Sequence, residues 1–439
     1  MEAVAARGEP GRGSVPRRRR RLDAVDGRWV AGLLALALIL RLAWVLAVDR
    51  EGLPFNDTLF YHEAASALAG GDGYSWLGEP TSRWPPVFPA LLAVVYRVFG
   101  ADPQAGELLN ATVGAAAVPL VYLCGLRLLG RREAVVAAAG MAVLPGQVFM
   151  ADVLLAETLY TTLLVGVLAL CLWLPRERWW AAVAVGLAIG VAAETRGEGL
   201  VLLVLPLAAW WRPPLRQVAL VLAGVAIVVG AWTARNAIEM DAFVPVSTNG
   251  SQTLWAGHNP DAHGGPTYPE SGADPGEPGY SPRRHELEDS RRLRREAIEW
   301  MLDNPWRELS LVPRKLAWLI RGDSEILWEW SQPAGRGAPP AVSDDVATMV
   351  GAVADLLFYA LLGLTLLAGV AARRSRPLPP ERRALWLLLG AALVLYGFVL
   401  YGNFRYRLPL EPVMLLLAAP LLTSTILPRT WTSAPSPSA

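Results

Sequence analysis

Apolar residues in this chain fall in blocks of about 20, and that feature limits the possible folds more than any other. An α-helix rises about 1.5 Å per residue, so such a block crosses the roughly 30 Å hydrocarbon core of a bilayer. The blocks run approximately 29–48, 107–129, 133–150, 153–174, 178–193, 198–211, 215–234, 347–370, 384–402 and 408–427. The expected fold class is therefore an all-α polytopic membrane protein with about ten transmembrane helices and two long extracytoplasmic loops carrying juxtamembrane helices. Composition agrees: 53% of residues are hydrophobic, 18% charged, and mean hydropathy is +0.33, against roughly 25% charged in soluble domains.

Net charge carries no message, because 40 basic and 39 acidic residues leave +1 and give no reason to expect a nucleic-acid partner. The distribution of charge is informative. The stretch Pro86 to Phe99 is too short for a comfortable crossing, at about 21 Å of helix. If it stays on one surface, 21 arginines gather with the basic N-terminus in the termini and short loops of one side, while six (Arg50, Arg83, Arg97, Arg196, Arg405, Arg407) lie opposite. The positive-inside rule then places both termini in the cytoplasm of a multi-pass cell-membrane protein. The first block runs on to Val48 without an Ala-x-Ala site, so an uncleaved span is expected rather than a signal peptide.

The expected organisation follows. Residues 1–28 form a basic cytoplasmic N-terminus, 29–234 an N-terminal membrane module including outer loop 49–106, and 235–346 an extracytoplasmic loop. Residues 347–427 are C-terminal membrane helices, and 428–439 a disordered cytoplasmic tail. Within the second loop, Arg283 to Met301 reads as an interfacial amphipathic helix. Cys124 and Cys171 sit inside apolar blocks, which removes a disulfide framework and a cysteine metal site.

Three outer-side features exceed what a structural membrane protein needs. Asp57 stands just beyond the first span, ahead of the aromatic stretch Leu59-Phe60-Tyr61, where a carboxylate can take a proton from a hydroxyl or simply cap a helix. Asp152 and Glu157 lie at the outer end of a span, and acids in apolar runs need partners. Arg196, Arg235, Arg405 and Arg407 break the charge rule. Singly each reads as a snorkelling terminal arginine; together they suggest a site for phosphate, whose oxygens a guanidinium binds in bidentate fashion. Arg41, inside the first span, calls for a carboxylate such as Glu107. His258 and His263 lie in a Gly/Pro-rich loop and read as surface residues, so no metal site is expected.

In this order of features the chain resembles the glycosyltransferase-C superfamily, in its dolichyl-phosphate-mannose protein mannosyltransferase-like and lipid A aminoarabinose transferase-like branch. The matching residues are Asn56-Asp57 with Tyr61 and Leu68-Ala69-Gly70-Gly71, then Arg83-Trp84-Pro85-Pro86, Glu157, Thr195-Arg196, Trp232 to Asn236, and Arg405-Tyr406-Arg407-Leu408-Pro409. Many members carry two acids at the start of the first loop, where this chain has Asn56, and some carry an acid near the Pro-Pro step, where it has Arg83.

The resemblance implies transfer of a sugar, with inversion, from a polyprenyl-phosphate donor to a hydroxyl of a lipid, glycan or protein acceptor at the extracytoplasmic face. Asp57 would be the general base, with Glu79 a distant second candidate. Tyr61, Arg83, Asp152, Glu157, Arg196, Arg235, Arg405 and Arg407 would bind substrate. No cofactor is implied, although some members of the superfamily depend on a divalent metal. The alternative is a transporter or flippase of lipid-linked sugars.

Overall fold

The computed structural model describes residues 22–48, 53, 56–210, 212–269, 280–331, 343–374 and 378–426. The arginine run at 17–21, Arg50, residues 270–279 and the tail after Ile426 lie outside the described residues. Among the described residues the protein is helical apart from one two-stranded hairpin, β1 (Ser75–Trp76) and β2 (Glu79–Pro80). Leu77 and Gly78 turn it with φ of 50° and 80°. Two successive positive φ values match the twist of the flanking strands, and glycine takes the second at no steric cost.

Six helices are long and apolar enough to cross a membrane by length and composition: 24–47, 103–128, 215–239, 344–374, 380–399 and 404–424. We label α1 (Ala24–Ala47), α2 (Asn56–Gly70), α3 (Val87–Phe99), α4 (Pro103–Leu128), α5 (Arg131–Val143) and α6 (Pro145–Phe149). Helices α5 and α6, with the 3₁₀ turn Met150–Asp152, form a pair bent by 55°, a seventh candidate if counted as one broken span. Pro145 causes the break, since it supplies no N–H to continue the ladder.

The expected blocks at 153–174, 178–193 and 198–211 appear as shorter apolar elements: α7 (Glu157–Trp173), α8 (Trp179–Ala193), and a 3₁₀ segment Gly197–Leu203 leading into α9 (Val204–Ala209). The doubtful stretch 86–99 is the amphipathic helix α3, which packs on α2 and α4. The remaining helices are α10 (Leu215–Glu239), α11 (Asn249–Gly257), α12 (Pro282–Asp303), α13 (Pro305–Leu319), α14 (Ser324–Ser331), α15 (Asp344–Arg374), α16 (Pro380–Val394) and α17 (Glu411–Ile426).

Small residues let the helices approach closely, as membrane interiors require where no hydrophobic drive separates helix from lipid. A Cβ on Gly186 of α8 would lie 2.1 Å from the Val221 carbonyl oxygen of α10, and one on Gly224 would lie 2.6 Å from that of Val183. Ile39, Ile227 and Leu356 are exposed on the long helices, an apolar surface suited to lipid.

Arginines tie together one end of the bundle. Arg127 donates to the Leu172 carbonyl at 3.2 Å, Arg176 to that of Trp210 at 3.3 Å, and Arg382 to that of Leu128 at 3.0 and 3.1 Å. These are the orphan carbonyls of helix C-termini, which a cation satisfies. At the same end Arg131 pairs with Asp26 at 2.8 Å, and the Tyr122 hydroxyl donates to Asp26 at 2.7 Å. Arg41 departs from expectation. Its guanidinium donates to the carbonyls of Ala37, Met141 and Ala142, each at 3.2 Å, rather than to Glu107. The Pro145 break leaves the last carbonyls of α5 without intrahelical donors, and the buried cation fills that need.

Candidate active site

At the opposite end, four sequence-flagged side chains converge. The 3₁₀ segment Phe404–Leu410 packs on α7, and Asn403 caps it by accepting from the Arg405 N–H at 2.9 Å. Arg405 is thereby aimed between two carboxylates: its Nε donates to Glu157 Oε1 at 3.0 Å, and one terminal nitrogen meets Asp57 Oδ2 at 3.2 Å. Glu157 opens α7 and is buried, where an acid is tolerated only with charge and hydrogen-bond partners. Arg196 supplies the second partner at 2.8 Å and also holds Glu198 at 2.5 Å, with its guanidinium over the Tyr406 ring. Asp57, in the first turn of α2, keeps 30% of its side chain exposed. The cluster is thus graded, from Glu157 sealed within to an open carboxylate at its mouth.

Aromatic packing fixes the base of this mouth. Tyr61 is buried, with Trp84 at 5.8 Å and Phe88 edge-on at 5.1 Å, and burial beside Glu157 raises its phenol pKa. Phe60 contacts Tyr74, Trp76 and Trp84, so α2 packs against the hairpin and the segment that leads into α3. Glu194 is buried nearby in the chain, and among the described residues neither of its carboxyl oxygens has a hydrogen-bond partner.

Other flagged residues stand elsewhere. Arg407 is sealed in a separate cluster, pairing with Asp323 at 2.6 Å and with Glu411, donating to the Arg321 carbonyl at 2.8 Å, and lying 3.5 Å above the Phe358 ring. Arg235 donates to the carbonyls of Thr81 and Tyr74, each at 2.7 Å, and stacks on Trp232, which braces the first loop against α10. Arg83 sits over the Trp76 ring at 5.4 Å, and Asp152 is buried at the end of its 3₁₀ turn. The distant base candidate Glu79 accepts from the Ser281 hydroxyl and the Arg283 N–H at the start of α12; these bonds hold its carboxyl below the usual range.

Sequence reasoning gave Glu198 no role, although its place two residues after Arg196 was a usable signal. Asp323 was also missed; nothing in its local sequence announces Arg407, 84 residues away. Among the described residues no three His, Cys, Asp or Glu side chains converge on a possible metal position. His258 is buried between Glu308, at 2.7 Å, and Lys315, at 3.3 Å. His263 packs edge-on against Trp318.

Residues 83–233 match the family model described as dolichyl-phosphate-mannose-protein mannosyltransferase. No curated protein matches the chain in sequence. Among solved structures it is similar to ArnT from Cupriavidus metallidurans bound to undecaprenyl phosphate, with 16% identity, 92% of this chain and 61% of that chain covered, and a TM-score of 0.55. It is also similar to the apo oligosaccharyltransferase of Archaeoglobus fulgidus, with 16% identity, 91% and 51% covered, and a TM-score of 0.51. The chain therefore spans less than two thirds of the length of these structures while sharing their fold. The resemblance to glycosyltransferase-C proteins holds in sequence across 83–233 and in fold across most of the chain.

Proposed function

We propose that this protein is a multi-pass membrane glycosyltransferase that moves a sugar from a polyprenyl-phosphate donor to a hydroxyl acceptor at the extracytoplasmic face, with inversion. The observation that carries the reading is the graded cluster of Asp57, Arg405, Glu157 and Arg196. The acceptor oxygen attacks the anomeric carbon as the bond from that carbon to the phosphate oxygen breaks. Asp57 takes the hydroxyl proton, and the bonding pair leaves with the polyprenyl phosphate. Arg405 and Arg196 stabilise the charge that grows on the departing phosphate, and Glu157 holds both guanidiniums in place before the reaction begins. Tyr61 flanks this centre, while Arg235 and Arg407 brace the loops that carry it.

In this reading the bent pair and the three shorter elements cross the membrane with the six long helices, giving ten spans and both termini in the cytoplasm. The arginine-rich end of the bundle is then the cytoplasmic one. Reporter fusions after Arg132 and after Gln252 should give opposite locations; agreement between them would change the span count by one.

Mass spectrometry of surface glycans and glycolipids from a deletion strain tests the activity. Loss of one sugar substituent, restored by the wild-type gene and not by Asp57→Asn, supports it. Glycans lost in the deletion strain and restored equally by Asp57→Asn would favour the transporter and sink the transferase reading.

A further inference from the structure

Loop one and the second long loop enclose a cleft of about 340 Å³, within the roughly 300–1,000 Å³ of ordinary small-molecule sites. Glu286 of α12 builds it. One carboxylate accepts from the hydroxyls of Thr81, Ser82 and Thr248 and from the Ser82 N–H, at 2.6 to 3.0 Å, and so locks the two loops together. Its hydrogen-bonding capacity is largely used. Other groups on the wall remain available. Among the described residues the side chains of Gln252 and Arg83 form no hydrogen bonds, and they line the cleft with the rings of Trp76 and Tyr280 and the amide of Asn249.

We infer that this cleft binds a carbohydrate, the glycan portion of the acceptor, an inference that rests on the transferase reading above. Planar amides and a guanidinium match pairs of neighbouring hydroxyls, and aromatic faces and edges accept the C–H surface of a sugar ring. A peptide is usually held by an unpaired strand edge or an apolar groove. Here, among the described residues, Leu293 is the one aliphatic lining side chain apart from Pro269 and Pro282. Position supports the assignment. Trp76 packs on Phe60 and donates its indole N–H to Glu63 at 2.8 Å, so the cleft is anchored to the same helix that carries Asp57. Six residues separate Asp57 from Glu63, about 9 Å along a helix.

Saturation-transfer NMR on the purified full chain in detergent tests this, with methyl hexopyranosides of the gluco, manno and galacto series and a serine/threonine peptide as probes. At least one glycoside should bind at millimolar concentration, and Gln252→Ala and Tyr280→Leu should each weaken it tenfold or more while binding of polyprenyl phosphate stays unchanged. Failure of every glycoside to bind, binding of the peptide alone, or glycoside binding that both variants leave intact would overturn the assignment. Polyprenyl-phosphate binding separates the two ideas. If the wild type binds the lipid and no glycoside, only the cleft assignment fails; if it binds the glycoside and no lipid, the donor reading fails and the cleft stands.

Discussion

Arg405 and Arg407 leave the same 3₁₀ segment two residues apart, yet one lies in an open cluster and the other in a sealed one. Arg405 touches a carboxylate that is 30% exposed, whereas both carboxylates around Arg407 are fully buried. In sequence the two arginines carried the same signal, a cation on the side that disfavours cations. The difference shows that charge placement locates the region of a site, while solvent access decides which charge within it can meet a substrate. A sealed cluster can hold a fold together but cannot exchange a proton with a ligand.

Asp57→Asn tests the open side and should have the largest effect. Asparagine keeps an oxygen for the first turn of α2 but cannot take a proton, so turnover should fall about a hundred- to ten-thousand-fold. Thermal stability and polyprenyl-phosphate binding should stay near the wild-type values. Near-normal transfer by this variant would remove Asp57 as the base.

The sealed side should answer in the opposite currency. Arg407→Ala strands Asp323 and Glu411 without their cation, which typically costs about 3–5 kcal/mol, and should show as low yield and an early thermal transition. Replacing Glu411 with glutamine in an Arg407→Met background should recover part of that loss. If Arg407→Ala is well folded and impaired only in donor use, the division between open and sealed clusters collapses.

Arg405→Ala should fall between these. A hydrogen bond to a charged group contributes roughly 1.5–3 kcal/mol, so kcat/KM for the lipid donor should drop about tenfold to a hundredfold with a modest change in melting temperature. Arg405→Lys should recover only part, because lysine cannot span Asp57 and Glu157 with a planar fork.

Much of this was legible in the sequence. Block length gave the helical class, Pro145 sat where α5 ends, and the convergence of Asp57, Glu157, Arg196 and Arg405 was foreshadowed by acids and arginines that the expected topology gathers on one side. What escaped depended on contacts between distant segments. The partner of Arg41 was sought among carboxylates, yet backbone carbonyls about 100 residues away accept from its terminal nitrogens, and sequence does not mark which carbonyls a helix break will free. Glu286 was one charge among many on α12, and its four hydrogen bonds exist only once both loops are folded. The spacing of Arg407 and Glu411 suited a helical pair, but the burial that turns the pair into a structural clamp comes from Asp323 and Phe358.

Lys315 extends the comparison to a third buried charge. Burial pulls its ammonium pKa down to about 8, with Glu308 partly opposing the shift. The unfolded chain keeps the proton up to about 10.5 and the folded chain releases it near 8, so stability should rise with pH across that window and be flat below it. The full swing is about 3 kcal/mol at most. Lys315→Met should abolish this part of the slope in thermal unfolding followed against pH. An unchanged slope would mean that Lys315 keeps its proton through solvent access.

The smallest expected effect concerns Glu79, and it decides whether the second base candidate of loop one belongs to the chemistry. Its carboxylate accepts two hydrogen bonds at the start of α12, and this contact holds its pKa below the usual carboxylate range. A depressed carboxylate pKa stabilises the fold above the unfolded value, and that contribution is lost as the pH falls through the folded value. Glu79→Gln should therefore cost about 1 kcal/mol, the scale of a helix cap, and should remove a small acid-side loss of stability below pH 4.5. Transfer at neutral pH should change by less than threefold, because the residue faces a helix terminus rather than the arginine cluster. A hundredfold loss of turnover in Glu79→Gln with intact stability would place a second acid in the reaction and end the assignment of Asp57 as the sole base.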